Sequence, residues 1–262
     1  VKSMFADKEF SKSINMSGVN SINWARIIAQ VVYYFYTYFQ IRDDRPVNFS
    51  VPTGNFGDVY AGYLAKKMGL PINKLIVATN QNDILHRAIS NGKYEAESVF
   101  ETNSPSMDIQ SASNFERLIY DLNNFDDKET QKIMTGIKEQ GKYIIPEDKM
   151  KKINIDFLSA SMSENEVLNI IKEAHSKYDI ILDPHSAIGF GALKKVNIDG
   201  NNIVLATAHP CKFPDVIDKS IGIKPNLPDE LKYVMDEKEN YDIISNNLSK
   251  TKQYIKEKIQ WN

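Results

Sequence analysis

Val47-Asn48-Phe49-Ser50-Val51-Pro52-Thr53-Gly54-Asn55-Phe56-Gly57-Asp58 decides how this chain folds. Val47 to Val51 alternates apolar and polar residues, the period of a strand. Pro52 to Asp58 reads as a turn holding two glycines. Val59 to Met68 reads as a helix, with Gly69 placed to end it and Pro71 just beyond. Lys74 to Thr79 is a second strand. Strand, glycine loop, helix, strand is one βαβ unit.

The alternation recurs downstream. Glu164 to Ser176 is helical with Ser163 as its cap, and Ile180 to Leu182 is a strand ending in Asp183-Pro184-His185. Ser186 to Lys194 is a short helix, and Asn202 to Ala206 a strand ending in Thr207-Ala208-His209-Pro210. Strands alternating with helices predict an α/β fold, a parallel sheet covered by helices on both faces. Residues 18–40 read as a helix capped by Ser21, with Ile27, Ile28, Val31, Tyr34, Phe35, Tyr38 and Phe39 facing a core. Residues 122–151 are charged and read as a surface helical excursion. Tyr241, Ile244, Leu248, Ile255 and Ile259 predict an amphipathic helix in the tail.

Composition narrows the function. The 262 residues carry 32 Lys and Arg against 34 Asp and Glu, a formal net charge of −2. No excess of positive charge is available for a nucleic-acid backbone. Cys211 is the single cysteine, so no disulfide forms within the chain, which fits a reducing compartment. The opening VKSMFADKEF has no apolar core and is not a signal peptide. The apolar stretch from Ile27 to Ile41 is shorter than the ~20 residues of a membrane span. A cytoplasmic protein with no membrane partner is expected. The chain also opens without Met, which suggests a trimmed polypeptide.

Chemistry concentrates at the strand ends, where open α/β sheets bind ligands. Gly54 and Gly57 let the backbone approach a ligand, and the helix that follows offers unpaired N–H groups and a positive dipole end. An anion such as phosphate suits that position. The loop is neither G-x-G-x-x-G nor a Gly-Lys-Ser/Thr nucleotide loop, and an ordinary βα turn is the competing reading. Thr79-Asn80-Gln81-Asn82-Asp83, Asp183-Pro184-His185-Ser186 and Thr207-Ala208-His209 outline the same polar crevice. His185 and His209 could meet there, but hydrogen-bonded structural roles are the preferred reading. None of the four histidines has a metal-binding spacing, and one cysteine excludes a thiolate zinc site. There is no G-x-S-x-G elbow, and no carboxylate pair for glycoside chemistry stands out.

Val51-Pro52-Thr53-Gly54-Asn55-Phe56-Gly57-Asp58 resembles the cofactor-phosphate loop of the threonine synthases, pyridoxal-phosphate enzymes of fold type II, in their fungal and enteric-bacterial branch. Other stretches follow in family order: Asn20-Ser21-Ile22-Asn23-Trp24-Ala25-Arg26, Ala78 to Arg87, Ser104-Pro105-Ser106-Met107-Asp108-Ile109, Ser113 to Arg117, Asp183 to Ala187, and Thr207 to Pro210 with Lys212-Phe213-Pro214. The likeness covers nearly the whole chain. It implies conversion of O-phospho-L-homoserine and water into L-threonine and phosphate, with pyridoxal 5′-phosphate as electron sink. It further implies that Gly54, Asn55, Phe56, Gly57 and Asp58 hold the cofactor phosphate and that the Thr207 hydroxyl faces the pyridine nitrogen. Asn20, Ser21 and Arg26 match the stretch associated with the substrate's phosphate, for which a guanidinium is suited.

One feature departs from the family. Its Schiff-base lysine lies well upstream of the glycine loop, in a Phe-Lys-Asp context that Lys2 and Lys8 do not match. The resemblance therefore implies a C-terminal fragment, inactive alone, with no catalytic residue of its own, no metal, and an N-terminal domain missing. Residues 1–45 are then a helical segment of the smaller domain, and 46–262 a partial cofactor-binding α/β domain. Two alternatives stay open: another fold type II lyase, such as a serine/threonine dehydratase or a phospholyase, and a non-catalytic phosphate- or cofactor-binding module. The oligomeric state is not legible.

Overall fold

In a computed structural model the chain is described over residues 2–18, 22–41, 43 and 45–259. Its first elements are α1 (Lys2–Ala6), α2 (Lys8–Ser13), α3 (Trp24–Gln40), β1 (Val47–Pro52), α4 (Gly57–Lys67), β2 (Ile72–Thr79), α5 (Ile84–Asn91) and β3 (Lys93–Glu95). Then come α6 (Phe115–Leu122), α7 (Asp127–Gln140), β4 (Lys142–Ile144), α8 (Glu147–Asp156), β5 (Phe157–Ser161), α9 (Glu164–Tyr178), α10 (Pro184–Val196), β6 (Asn201–Val204), α11 (Pro214–Ile221) and α12 (Leu248–Lys258). They fall into two compact units, Val1–Asn20 with Leu227–Asn262, and Ser21–Asn226. In the first, Asp7 caps α2 by accepting from the Phe10 amide at 3.0 Å and pairs with Lys252 of α12.

The second unit is built on a parallel sheet in the order β5-β2-β1-β6. Strand periodicity divides its side chains between two cores. Val47, Phe49 and Val51 of β1, with Leu75 and Val77 of β2 and Phe157 of β5, share one core with α3, α4, α5 and α6. Ile76, Ala78 and Ala160 point the other way, into a core shared with α9, α10 and α11. Ser50 also lies on that side, fully buried, and its hydroxyl donates to the Gly189 carbonyl of α10 at 2.6 Å. Helices thus cover both faces, as the alternating pattern predicts. Close packing of α3 on α4 depends on Gly62, where an added Cβ would lie 2.5 Å from the Tyr34 ring.

Several expectations are corrected. The helix expected over 18–40 starts at Trp24 and is capped by Asn23, whose side chain accepts from the Ala25 amide at 3.0 Å; Ser21 lies outside the described residues. Of its apolar residues, Ile27, Val31 and Tyr34 are buried, but Ile28 is 47% and Phe39 70% exposed, because α3 rests on the unit along one stripe only. Residues 180–182 form no strand: the Ile180 amide donates back to the Ala174 carbonyl at 3.3 Å, and the segment leads into α10. The fourth strand is instead β5, in register with β2 from Leu75↔Phe157 to Thr79↔Ser161. Tyr241 and Ile244 lie ahead of the tail helix, which starts at Leu248. The capping box of α9, Ser163 with Glu166, stands where the cap was expected. Among the described residues no helix is long and apolar enough to cross a membrane.

Candidate functional site

The glycine loop lies at the carboxyl end of β1, on one wall of a cavity of about 270 Å³. Phe56 makes the bend. It sits in the left-handed region, φ 65°, a conformation costing a non-glycine residue about 1 kcal/mol or more. Its ring offsets that cost: it is fully buried, 5.2 Å from Phe115 and 5.8 Å from Phe157 between centroids. The bend turns the chain straight into α4. Among the described residues the amides of Gly54, Asn55, Phe56, Gly57 and Asp58 have no acceptor, whereas the Thr53 amide is bound to the Ala78 carbonyl at 2.8 Å. Five open amides at a helix start form a cradle for an anion.

The second wall is the turn Pro105–Met107. It comes so close to Gly54 that a Cβ there would stand 2.7 Å from the Ser106 carbonyl oxygen. Asp108 fixes that turn. Its Oδ1 accepts from Asn80 Nδ2 at 2.7 Å, Asn82 Nδ2 at 3.0 Å and the Thr102 hydroxyl at 2.6 Å, and its Oδ2 from the Thr102 amide at 2.8 Å. The polar run after β2, expected to line the crevice, thus acts one layer behind it.

The third wall brings in His185, Thr207, Lys212 and Phe213. Asp183 caps α10, accepting from the amides of His185 at 2.9 Å and Ser186 at 3.3 Å. The Ser186 hydroxyl donates to Asp183 and accepts from the Thr207 amide at 3.1 Å, linking the start of α10 to the segment after β6. Burial pushes the Asp183 carboxyl up, but hydrogen bonds from His185 and Ser186 outweigh it and hold the group below its ordinary value. Thr207 is exposed at the cavity, and its hydroxyl makes no hydrogen bond among the described residues.

Asp58, at the start of α4, behaves oppositely. Burial raises its carboxyl from 3.8 to about 6, against a hydrogen bond from the Tyr34 hydroxyl at 3.1 Å that favours the ionised form. An anion in the adjacent cradle meets less repulsion while Asp58 is neutral. Affinity for inorganic phosphate should therefore fall as pH rises through about 6, by about 1 kcal/mol or roughly fivefold beyond the ligand's own titration. Isothermal titration across pH 5–8 measures it, and the component should vanish in Asp58→Asn.

The remaining sequence candidates fall elsewhere. Arg26 is exposed on α3 and does not line the cavity, while Asn20 and Ser21 lie outside the described residues. His209 caps the turn Pro210–Lys212, accepting from the Cys211 amide at 3.2 Å, and does not join His185. Lys212, Phe213 and Ser106 were visible in the sequence only as parts of family stretches. No local pattern marks them as cavity residues. Among the described residues no cluster of His, Cys, Asp and Glu is placed to hold a metal ion.

Comparison with known proteins points one way. Residues 186–255 match the family model described as "Threonine synthase, C-terminal". A threonine synthase of Pseudomonas aeruginosa is 42% identical over 97% of this chain and 55% of its own length. The crystal structure of PLP-bound threonine synthase from Brucella melitensis superposes with a TM-score of 0.93 at 45% identity, over 98% of this chain and 56% of that one. The yeast threonine synthase structure gives a TM-score of 0.88 at 39% identity over the same shares. The chain spans about half the length of the curated relatives it matches. Over nearly all its length, at about 40% identity and with the same fold, the chain is similar to the C-terminal half of the threonine synthases.

Proposed function

We propose that this chain supplies the phosphate cradle and part of the substrate cavity of a threonine synthase, which forms L-threonine and phosphate from O-phospho-L-homoserine and water. The observation that carries the reading is the set of five open amides at Gly54–Asp58 in a cavity closed so tightly at Gly54 that no side chain fits there. That cradle fits the phosphate of pyridoxal 5′-phosphate, the ligand named for the Brucella relative. When bound, the cofactor supplies an electron sink for the amino acid's carbons.

The residues of this chain would divide the work. The amides of Gly54, Asn55, Phe56, Gly57 and Asp58 anchor the phosphate. The Thr207 hydroxyl donates to the ring nitrogen and, being neutral, does not favour its protonation as an aspartate would. Asn20, Ser21 and Arg26 serve the substrate's phosphate. The Schiff-base lysine comes from outside these residues, so the 262-residue chain alone should release no phosphate. In this reading residues 1–45 belong to the smaller domain and 46–262 to the cofactor domain, of a cytoplasmic enzyme whose partner is its small-molecule substrate.

Purified full-length protein tests the reading. It should bind one equivalent of pyridoxal 5′-phosphate and form threonine and phosphate together from O-phospho-L-homoserine. Ammonia from serine or threonine, with none of that turnover, would make it a dehydratase. Failure to bind the cofactor would make the loop an ordinary turn.

A further inference from the structure

Capping α10 requires Asp183 and leaves the imidazole at His185 unexplained. Both oxygens of Asp183 are committed: Oδ1 to the His185 amide and, at 3.0 Å, to Nδ1, and Oδ2 to the Ser186 amide and hydroxyl. With Nδ1–H donating to the carboxylate, the neutral ring keeps its lone pair on Nε2. His185 is 5% exposed and packs 5.1 Å from the Phe213 ring, yet it lines the cavity, and Nε2 has no hydrogen-bond partner. A buried polar atom so placed calls for a bound group to satisfy it. The loop amides and the Lys212 ammonium are donors and suit anions. Nε2 is an acceptor beside a carboxylate, which disfavours anions and suits a neutral O–H.

We infer that His185 holds the water consumed in the reaction and takes its proton at Nε2, with Asp183 as the positioning residue. The inference rests on the threonine synthase reading. Of the reactants in that reading, the substrate's phosphate and carboxylate are anions matched to donors, and its amino nitrogen is engaged by the cofactor. Water is the reactant left with an O–H to give. The Cγ–O bond to phosphate breaks first, its pair leaving on the phosphate oxygen; a lone pair of the water oxygen then forms the new bond to Cβ as the Cα–Cβ π pair shifts onto Cα, where the cofactor would hold it until Cα takes up a proton. One hydrogen stays on that oxygen in the product hydroxyl. The other passes to Nε2, leaving its bonding electrons on oxygen, and departs on the released phosphate as hydrogen phosphate. The imidazolium formed in between lies against the Asp183 carboxylate, which stabilises it.

Full-length protein carrying His185→Ala, His185→Gln or Asp183→Asn tests this. Threonine formation should fall about 100-fold or more in His185→Ala, and threonine formed per phosphate released should fall with it, while pyridoxal 5′-phosphate affinity stays within about threefold. Added imidazole should restore threonine formation in His185→Ala, saturably, and should do nothing for the parent. Independently of turnover, ¹⁵N-histidine NMR should show His185 with a protonated Nδ1 and a bare Nε2, and Asp183→Asn should change that tautomer. His185→Gln decides the matter if the alanine variant fails to fold. Threonine per phosphate unchanged in a folded His185 variant would overturn the inference. So would loss of cofactor affinity alongside turnover without imidazole rescue, or a bare Nδ1. If the parent itself neither binds the cofactor nor makes threonine, the underlying reading has failed; if the parent does both and the variants match it, only the role of His185 has failed.

Discussion

Asp108→Ala should destabilise the Ser21–Asn226 unit by about 3 kcal/mol, because several buried donors lose a charged acceptor at once. Asn80 is fully buried and Asn82 nearly so, so water cannot readily take the place of the carboxylate. The loss should also reach function. Asp108 fixes the segment from Thr102 that carries Ser106 over the glycine loop, so the cavity wall loosens when it goes. Asp108→Asn keeps one acceptor oxygen and should cost about 1 kcal/mol. Urea unfolding of the full-length variants reads the stability change, and a cofactor titration reads the wall. Equal stability of Asp108→Ala and the parent would show that the network is not a clamp.

Gly54→Val should weaken pyridoxal 5′-phosphate binding on the order of a hundredfold, about 2.7 kcal/mol. The reason is local. The new Cβ would meet the Ser106 carbonyl at 2.7 Å, and that oxygen belongs to backbone which the Asp108 network holds in place. Either the wall moves outward or the loop does, and a moving loop carries its amides off the phosphate. Gly54→Ala should show the same effect, smaller. A Gly54→Val protein that binds the cofactor as tightly as the parent would mean that the close approach at Gly54 plays no part in binding.

The glycine loop was legible in the sequence because it depends on local rules: β1 alternates, Gly54 and Gly57 flank a bend, and a helix begins at once. The bend itself was not legible, since Phe56 adopts a left-handed conformation that only its burial between Phe115 and Phe157 sustains. β5 is not legible in the sequence, because Phe157-Leu158-Ser159-Ala160-Ser161 has little intrinsic strand character and is held by pairing with β2. Ile180 to Leu182 misled in the opposite sense: an apolar run reads as a strand, yet a strand needs a neighbour. The aromatic density of α3 announced burial, but periodicity does not reveal how wide a stripe its neighbours cover. His185 was legible as a strand-end histidine. Its open Nε2 was not, because a missing hydrogen bond is a property of the surroundings. Asp183 two residues before it was the available signal.

A crystal structure of the full-length protein with pyridoxal 5′-phosphate decides whether the glycine loop is the phosphate site. The phosphate oxygens should lie about 3 Å from several of the amides of Gly54, Asn55, Phe56, Gly57 and Asp58, with the ring nitrogen against the Thr207 hydroxyl. A phosphate seated anywhere else, with those amides turned to water, would contradict the assignment.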